Sequence, residues 1–528
     1  MHIPFLKTPT AIAIAAAACA FAAIPISAQS QQPAQPQPQH PAQPQSQPQP
    51  QHPAPAQTPA AEPDLDTIVN LWRRPSPTPI PYAPAEVADI EAVMRRVVDY
   101  LETASPVIVT NTDTKERITD FSKPLPPRVE LERGPFAIIS YEWGVTYAGM
   151  IHAAEATGDA RYTRFAARRL EAIAALSKHF SALPAGQRPE RYPLRSVVMP
   201  RTLDDSGAMA AAMLKAVQSK TTGADLRPII DRYLAHITTA QKRLPDGTLA
   251  RDRPMPDSLW LDDLYMSVPA LAQMGKLTGD TACHDDAVKQ ILQFAQRMFV
   301  TEPNSKSISE STSTSTSVSE SKSISESASV SGSGKNLFMH GWVAGMTEHP
   351  AYHWGRANGW AIIAMVELLS VLPENHPQRP AILALLRAHA RGLAATQGIN
   401  GLWHQLLDRP ETYEETSASA MFVYAFARAI NRGWLDPLVY GPVASIGWNA
   451  VARQVNARGQ VENVCVGTGM AFDPVFYAYR NVSPYAAHGY GPVLLAGAEM
   501  ITLRKGIGAD AVVHDGGTHY GKVPTRLW

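Results

Sequence analysis

Residues 139–178 read ISYEWGVTYAGMIHAAEATGDARYTRFAARRLEAIAALSK and decide the fold. Apolar residues recur three and four positions apart on both sides of the tripeptide TGD at 157–159. This spacing predicts two helices, at about 139–157 and 160–178, joined by a tight turn. A second TGD, at 278–280, separates two more stretches with the same spacing. The chain is therefore expected to repeat a hairpin of two helices.

The helical period continues along most of the chain. It recurs at about 83–104, 205–219, 225–241, 260–277, 281–300, 354–372, 377–397, 415–431 and 488–501, and more weakly at 437–451. Strand-like runs are few and short, for example 105–110 and 193–199. Twelve helices paired in this way form either an open solenoid or a closed ring of six inner and six outer helices. No short sequence period repeats, which disfavours the solenoid, so we predict an all-α fold, a single (α/α)6 barrel.

Composition excludes several classes of protein. The 528 residues include 47 basic and 47 acidic ones, a balance that disfavours a nucleic-acid binder with a basic face. The same balance disfavours electrostatic docking to anionic membranes. Three cysteines are too few for a disulfide scaffold or a cysteine-rich metal fold.

Two segments near the start are expected to precede the catalytic domain. Residues 1–28 contain an apolar run at 11–24 and end in small residues, which predicts a secretory signal peptide cleaved near Ala28. The run is shorter than the ~20 residues that a membrane span needs, and a lipoprotein anchor at Cys19 is the less favoured alternative. Residues 29–63 are rich in Gln and Pro and predict a disordered, extended spacer. We therefore expect a periplasmic or secreted protein with no integral membrane span in its mature form.

A serine-rich tract interrupts the helical part of the chain. Serine occupies every odd position from 305 to 333, so one face of any strand would be entirely serine and no apolar face exists. Such a segment has nothing to bury and predicts a disordered insertion at 305–334 in a surface loop. The catalytic domain is accordingly predicted to span 84–505, with this insertion inside it.

Two pairs of neighbouring carboxylates each stand where a predicted helix begins. Asp204 and Asp205 lie in RTLDDSGAM, and Asp262 and Asp263 lie in SLWLDDLYM beside two aromatic residues. Carbohydrate sites combine aromatic faces with carboxylates that transfer protons. Simple capping of a helix by aspartate explains the same positions, so one pair alone is weak evidence. The recurrence of the element indicates two carboxylates that converge at one end of the barrel.

The segment HWGRANGW at 353–360 is dense in aromatic and hydrogen-bonding groups. On a helix, Arg356 and Trp360 share one face, while Trp354 and Asn358 share another. The guanidinium of Arg356 is our candidate for binding a substrate carboxylate through two parallel hydrogen bonds. A tryptophan-rich core with the arginine stacked on an indole is the structural alternative.

Other chemical classes lack their signatures. The sequence has no HExxH, no clustered Cys and His, no EF-hand pattern, no GxSxG and no phosphate loop, so neither a metal nor a cofactor is implied. His340 follows the serine tract in MHGW and is a weaker candidate, because a lone histidine is more often structural than catalytic.

A set of short motifs, taken together, resembles a known family. They are, in order over about 95–504, RTLDDSGAM, LWLDDLYMSVPAL, HGW, HWGRANGW, GLWHQLLD, ETSASAMFVYAFARAINRGWL, VCVGTG and HGYGPVLLAGAEM. They resemble the unsaturated uronyl hydrolases of glycoside hydrolase families 88 and 105, and most closely the rhamnogalacturonyl branch. The resemblance implies an (α/α)6 barrel that removes a 4,5-unsaturated uronic acid from the non-reducing end of lyase-generated oligosaccharides, with a pectin- or rhamnogalacturonan-type substrate favoured. It implies hydration of the C4=C5 bond instead of direct attack at the anomeric carbon.

The resemblance also assigns roles to residues. Asp262 matches the general acid/base, and Asp205 matches the second acidic residue, near the uronate ring. Contacts with the substrate carry over to His340, Trp354, Arg356 and Trp360. Because Asp262 must be protonated to deliver H⁺ to C4, we expect a second carboxylate and apolar aromatic walls to raise its pKa.

Two departures from the family pattern leave the identity of the substrate saccharide undecided. Val343 stands after HGW where an acidic residue is usual, and the segment SPYAA at 483–487 also lacks one. Three other functions remain as alternatives. They are a conventional inverting glycosidase with carboxylates roughly 6.5–9.5 Å apart, a non-catalytic extracytoplasmic glycan-binding protein, and a lyase.

Overall fold

The computed structural model describes three stretches of the chain and the backbone of two further strands. The stretches are residues 83–184, 194–301 and 335–508, and the strands are Val512–His514 and Gly517–His519. The predicted signal peptide (1–28), the spacer (29–63) and the serine-rich insertion (305–334) lie outside the described residues. In the described stretches, no helix combines the length and the apolar character needed to cross a membrane.

The described residues contain fourteen α-helices, numbered in chain order. They are Val87–Ala104 (α1), Tyr141–Thr157 (α2), Ala160–Ala182 (α3), Arg195–Val198 (α4), Leu203–Gln218 (α5), Arg227–Ala235 (α6), Val268–Thr278 (α7), Thr281–Met298 (α8), Gly355–Leu369 (α9), Arg379–Ala395 (α10), Thr416–Asn431 (α11), Pro437–Arg453 (α12), Pro474–Ala478 (α13) and Tyr490–Lys505 (α14). A π-helical turn, His236–Ala240, extends α6, and single 3-10 turns at Leu261–Leu264 and Ala487–Gly489 precede α7 and α14.

The strands are short and pair only locally. They are Val109–Asn111 (β1), Arg117–Ile118 (β2), Val129–Leu131 (β3), Ser258–Trp260 (β4), Phe299–Val300 (β5), Leu337–Phe338 (β6), Gly341–Val343 (β7), Trp403–His404 (β8), Glu414–Glu415 (β9), Val512–His514 (β10) and Gly517–His519 (β11). They form a three-stranded antiparallel sheet in the order β2-β1-β3 and four antiparallel pairs, β4-β7, β5-β6, β8-β9 and β10-β11. The fold is therefore built from helices, and the strands pair within and between the loops that connect them.

Six helices form a closed inner ring. In order around the ring they are α2, α5, α7, α9, α11 and α14, and α14 packs against α2 to close it. These helices are buried on nearly every side, and every residue of α9 is buried. A helix that is apolar all round needs neighbours on all sides, and the ring supplies them.

The remaining six long helices form an outer layer. Each of α3, α6, α8, α10 and α12 packs against the inner helix that precedes it in the chain, and α1 packs against α14. The outer helices are amphipathic, as α1 illustrates by burying Ile90, Val93, Val97 and Leu101 on a single face. The predicted (α/α)6 barrel is confirmed.

The TGD tripeptides form the turns that the sequence predicts. Gly158 adopts a left-handed φ of 72° and ends α2, and the side chain of Asp159 accepts a hydrogen bond from the backbone N–H of Arg161 to cap α3. Gly279 and Asp280 repeat this arrangement between α7 and α8. The same three residues therefore end an inner helix and start an outer one.

One predicted strand is wrong where the structure describes it. Residues 195–198, inside the run expected to be extended at 193–199, form the single helical turn α4. Leu194 has a left-handed φ of 69°, and its carbonyl accepts hydrogen bonds from the N–H groups of Val197 and Val198 at 2.9 and 3.1 Å. This local turn outweighs the strand preference of the valines.

Candidate active site

The inner helices all begin at the same end of the barrel. The Tyr141 hydroxyl, at the start of α2, lies 2.6 Å from Nε2 of His488, just before α14. Nη1 of Arg356, at the start of α9, lies 3.4 Å from Oγ of Ser417 in the first turn of α11. Helix N-termini carry partial positive charge and unpaired N–H groups. This end of the barrel therefore favours anions.

A cavity of about 390 Å³ opens at this end. Its described lining consists of Tyr141, Asp204, Arg251, Arg253, Pro254, Trp260, Asp262, Met266, Thr468, Gly469 and Met470. The lining combines two carboxylates, two guanidiniums and two aromatic rings. That combination suits a polar, ring-shaped anion.

The β4-β7 pair places Asp262 in this cavity. Trp260 pairs with Gly341, and the backbone N–H of Leu261 donates to the His340 carbonyl at 3.0 Å. The next side chain, Asp262, then lies with Oδ2 3.2 Å from Nε2 of His340. The two residues are 78 positions apart in the chain, so only the strand pairing brings them together.

His340 is held from its other side by a tyrosine. Its Nδ1 lies 2.7 Å from the Tyr477 hydroxyl, its ring packs 4.7 Å from that of Trp354, and it is fully buried. Burial raises the pKa of Tyr477, so its hydroxyl stays protonated and can share a hydrogen bond with Nδ1. The Tyr477–His340 contact thus fixes the orientation of the ring that faces Asp262.

The expected rise in the pKa of Asp262 is wrong for this ligand-free site. Burial acts to raise the pKa, but the hydrogen bond and charge of His340, together with Arg251 and Arg356, outweigh burial and leave it below the usual value. Burial does raise the pKa of Asp263, to about 6, and that of Glu142. Neither of these carboxyls lines the cavity.

The second carboxylate among the lining residues is Asp204, whereas the family resemblance assigns that role to its neighbour Asp205. Oδ2 of Asp205 accepts hydrogen bonds from the backbone N–H groups of Arg201 and Thr202 at 2.9 and 3.2 Å. Thr202 is the N-cap of α5, and Asp205, three residues later, completes the capping box with it. The structure thus gives Asp205 a capping contact, and its role at the site stays a prediction.

Arg251 joins Asp204 to Asp263. Its Nη1 and Nη2 donate to the two oxygens of Asp204 at 2.8 Å each, and its Nε donates to both oxygens of Asp263 at 2.9 and 3.0 Å. Nη2 also contacts Asp263, which is fully buried. A guanidinium between two carboxylates fixes both of them, so Arg251 and Asp263 hold Asp204 on the cavity wall.

Arg356 is buried behind the cavity and does not line it. Its Nη1 donates to the Cys465 carbonyl, and its Nη2 donates to the Val466 carbonyl at 2.7 Å. Its guanidinium also stacks 4.7 Å from the Trp354 ring. Both of these nitrogens donate to backbone carbonyls in the segment that leads to the lining residues 468–470. The structural alternative, an arginine stacked on an indole, is therefore what the structure shows.

The two tryptophans of HWGRANGW also lie outside the cavity lining. Trp354 supports the ring of His340, and Trp360 packs 5.0 Å from Tyr265 and 6.2 Å from Tyr141. Each is about 1% exposed. The aromatic walls of the cavity are instead Trp260 and Tyr141. Within the described residues, no group of three or more His, Cys, Asp or Glu is arranged to hold a metal ion.

Sequence reasoning missed four residues that the site uses, and it named Asp204 only as one of a pair. The four are Tyr141, Arg251, Arg253 and Tyr477. Asp204 could have been found as the neighbour of a capping aspartate. Arg251 and Arg253 lie in an irregular loop outside every motif, and they reach the site through contacts that no local pattern records.

Adjacent aspartates at the start of α5 provide a matched test of this geometry. We expect Asp204→Asn to lower kcat/KM by about 100-fold, because it removes a charged group from the cavity. The reaction measured is the removal of unsaturated uronate that the family resemblance implies. Asp205→Asn keeps an amide oxygen that caps the helix, so its kcat/KM should stay within about threefold of wild type. Thermal melts establish that both variants fold, and a larger loss for Asp205→Asn than for Asp204→Asn would reverse the assignment.

Comparison with known proteins places this geometry in a family. The family model for Glycosyl Hydrolase Family 88 matches residues 109–504. A 248-residue stretch is 28% identical to an unsaturated 3S-rhamnoglycuronyl hydrolase of Alteromonas sp. (strain LOR), covering 47% of this chain and 52% of that protein. A 171-residue stretch is 30% identical to the unsaturated rhamnogalacturonyl hydrolase YesR of Bacillus subtilis (strain 168), covering 32% of this chain and 48% of that protein. The chain thus spans about half the length of these two relatives.

The fold has solved counterparts as well. A crystal structure of a possible member of the GH105 family from Salmonella enterica serovar Paratyphi A superimposes with a TM-score of 0.56 at 20% sequence identity. The superposition covers 82% of this chain and 97% of that one. At this identity the likeness establishes the fold, and the family model establishes the membership. The chain belongs to Glycosyl Hydrolase Family 88.

Proposed function

We propose that the protein removes a 4,5-unsaturated uronic acid from the non-reducing end of lyase-generated oligosaccharides by hydrating the C4=C5 bond. The observation that carries this proposal is Asp262, which lines a cavity at the end of the barrel where the inner helices begin and is hydrogen-bonded to a buried histidine. Family membership and the names of the two relatives support the same reaction class.

The chemistry requires one proton and one water. Protonated Asp262 gives its proton to C4, and the carboxylate that remains takes a proton from water as the water oxygen bonds to C5. The product is a hemiketal at C5, which opens to a C5 ketone. Opening leaves a hemiacetal at C1, and its breakdown yields a C1 aldehyde and the free aglycone. Asp262 ends the cycle protonated, and His340 keeps its carboxyl oriented throughout.

Substrate binding is expected to favour the protonated form of Asp262. His340 and two arginines hold the pKa of Asp262 below its usual value, so the carboxyl is ionised near neutrality. A bound uronate adds negative charge beside Asp262 and excludes water, and both effects raise a carboxyl pKa. Binding and protonation of Asp262 are therefore coupled.

The favoured substrates are of pectin or rhamnogalacturonan type, in line with the name of the Bacillus relative. Val343, the departure noted in the sequence, pairs with Ser258 in the β4-β7 ladder and is 2% exposed. It is not among the residues that line the cavity. Valine in place of the usual acidic residue therefore leaves position 343, in the strand pair behind the cavity, without a charge.

Export through the predicted signal peptide completes the proposal. We propose that the mature protein works in the periplasm or outside the cell, where lyase products of polysaccharides arise. Mass spectrometry of the exported protein is expected to place its first residue at Gln29, after cleavage at Ala28. A lipid-modified Cys19, or a protein that retains Met1, would contradict this proposal.

Replacing the proposed acid/base, Asp262, is expected to abolish activity while the protein still folds. Asp262→Asn cannot donate or accept the C4 proton, so we expect kcat to fall by at least about 1,000-fold. The assay follows the loss of the unsaturated chromophore at about 235 nm, with positioned proton transfer as the step tested. Unsaturated disaccharides made by pectin, ulvan and glycosaminoglycan lyases serve as the substrates. Wild-type rates in a folded Asp262→Asn variant would refute the assignment.

The coupling between binding and protonation predicts a specific pH dependence. Free enzyme must carry a proton on Asp262, whose pKa is lowered, so kcat/KM should fall by about tenfold per pH unit above that pKa. In the complex the pKa is higher, so kcat should persist to higher pH before it falls. Rates from about pH 4 to 8 should show kcat/KM falling throughout and kcat falling only at the upper end of this range. A kcat/KM that is flat or rises with pH, or a kcat that falls in parallel with kcat/KM, would contradict the coupling.

A further inference from the structure

Among the described residues, two guanidiniums line the cavity and that of Arg356 lies behind it; Arg251 and Arg356 are both hydrogen-bonded within the protein. Arg251 holds Asp204 and Asp263, and its side chain is only 6% exposed. Arg356 holds the carbonyls of Cys465 and Val466. Neither is available to a ligand carboxylate without breaking contacts that organise the cavity.

Arg253 is the third guanidinium and is differently placed. It lines the cavity, and 64% of its side chain is exposed. Its closest acidic neighbour among the described residues is Asp204, with Nη2 3.7 Å from Oδ2, which is beyond hydrogen-bonding distance. Its fork of N–H donors is therefore open towards the cavity.

The backbone of Arg253 is nonetheless fixed. Its carbonyl accepts a hydrogen bond from Nε1 of Trp260 at 2.9 Å, and Trp260 forms a wall of the same cavity two residues before Asp262. The backbone of Arg253 is thus tied to Trp260, at the end of the strand that precedes the proposed acid/base, while its guanidinium is exposed. Such an arrangement suits a residue that closes on a ligand.

An unsaturated uronate brings its own requirement. Its carboxylate is attached to C5, the carbon next to C4, so it enters the cavity close to Asp262 and Asp204. Two carboxylates already face that space, and a third needs a cation whose N–H donors are not already hydrogen-bonded to the protein. Of the described lining residues, Arg253 meets this requirement and also offers the planar fork that matches a carboxylate.

We propose that Arg253 binds the carboxylate of the unsaturated uronate through a two-point contact and thereby sets the preference of the site for the free acid. This inference rests on the proposed function, because it concerns recognition of that substrate. It transfers to Arg253 the role that the sequence assigned to Arg356. Arg356 acts instead as a positioning residue for the chain that leads to residues 468–470.

The test compares an unsaturated disaccharide with its C6 methyl ester, which keeps the double bond and lacks the charge. Arg253→Ala should raise KM for the acid by at least about tenfold and change kcat by less than about threefold, as expected for lost binding of substrate and transition state alike. The preference of wild type for the acid over the ester in kcat/KM should fall by at least about tenfold in this variant. Arg253→Lys should recover part of both values, because it restores a charge without the fork.

Arg227→Ala provides the matched control. Arg227 is similarly exposed at 56%, lies on the outer helix α6 and does not line the cavity. Its removal should leave KM and the preference for the acid within about twofold of wild type, and so separates a specific contact from general attraction of an anion by positive charge.

The outcomes separate this inference from the proposed function. An Arg253→Ala variant that keeps the wild-type KM and the wild-type preference for the acid overturns the role of Arg253 and leaves the hydration reaction intact. A wild-type enzyme that consumes neither the acid nor the ester overturns the function itself. If Arg253→Ala fails to fold in a thermal melt, Arg253→Lys and Arg253→Gln decide by the same ratio, with unchanged values in both again overturning the inference.

Discussion

Closure of the inner ring by the contact between α14 and α2 is the constraint on which the rest of the structure depends. Each inner helix is held by two inner neighbours and one outer helix, so its first residue cannot shift without moving the ring. The loops at that end therefore start from fixed points. Strand β4 ends at one of them and pairs with β7, and this pairing aligns Asp262 with His340. A catalytic contact between distant parts of the chain thus follows from helix packing.

The ring also separates charge between its two ends. At the N-terminal end, helix dipoles attract anions, and Asp204, Asp205 and Asp262 stand there. At the opposite end, Lys215 pairs with Glu367 at 2.7 Å and Arg428 pairs with Glu499, close to helix C-termini that favour cations. The pKa of Glu367 is lowered to about 2, in spite of its burial, chiefly by Lys215 and Arg428. These four charged groups thus pair with one another inside the protein.

Much of the fold follows from the sequence, and less of the site does. Apolar spacing predicts the helices, and TGD predicts their turns, because both depend on residues a few positions apart. The motifs correctly draw attention to the loops that carry Asp262 and His340. They do not distinguish Asp204 from Asp205, because neighbouring residues at a helix start differ by about 100° in direction and only the cap decides which one faces the cavity. The burial of Arg356 and the clamp by Arg251 depend on hydrogen-bond partners 12 to 110 residues away, which no local pattern can report.

Hydration of a double bond is the central claim, and a pair of substrates tests it directly. The pair consists of one disaccharide with the C4=C5 bond and the same disaccharide saturated at that bond, incubated with equal amounts of enzyme. We predict release of the aglycone from the unsaturated member alone, with loss of its absorbance at about 235 nm, since only that member has a C4 that Asp262 can protonate. Release from the saturated member at a comparable rate would rule out hydration and would indicate attack at the anomeric carbon by a conventional glycosidase.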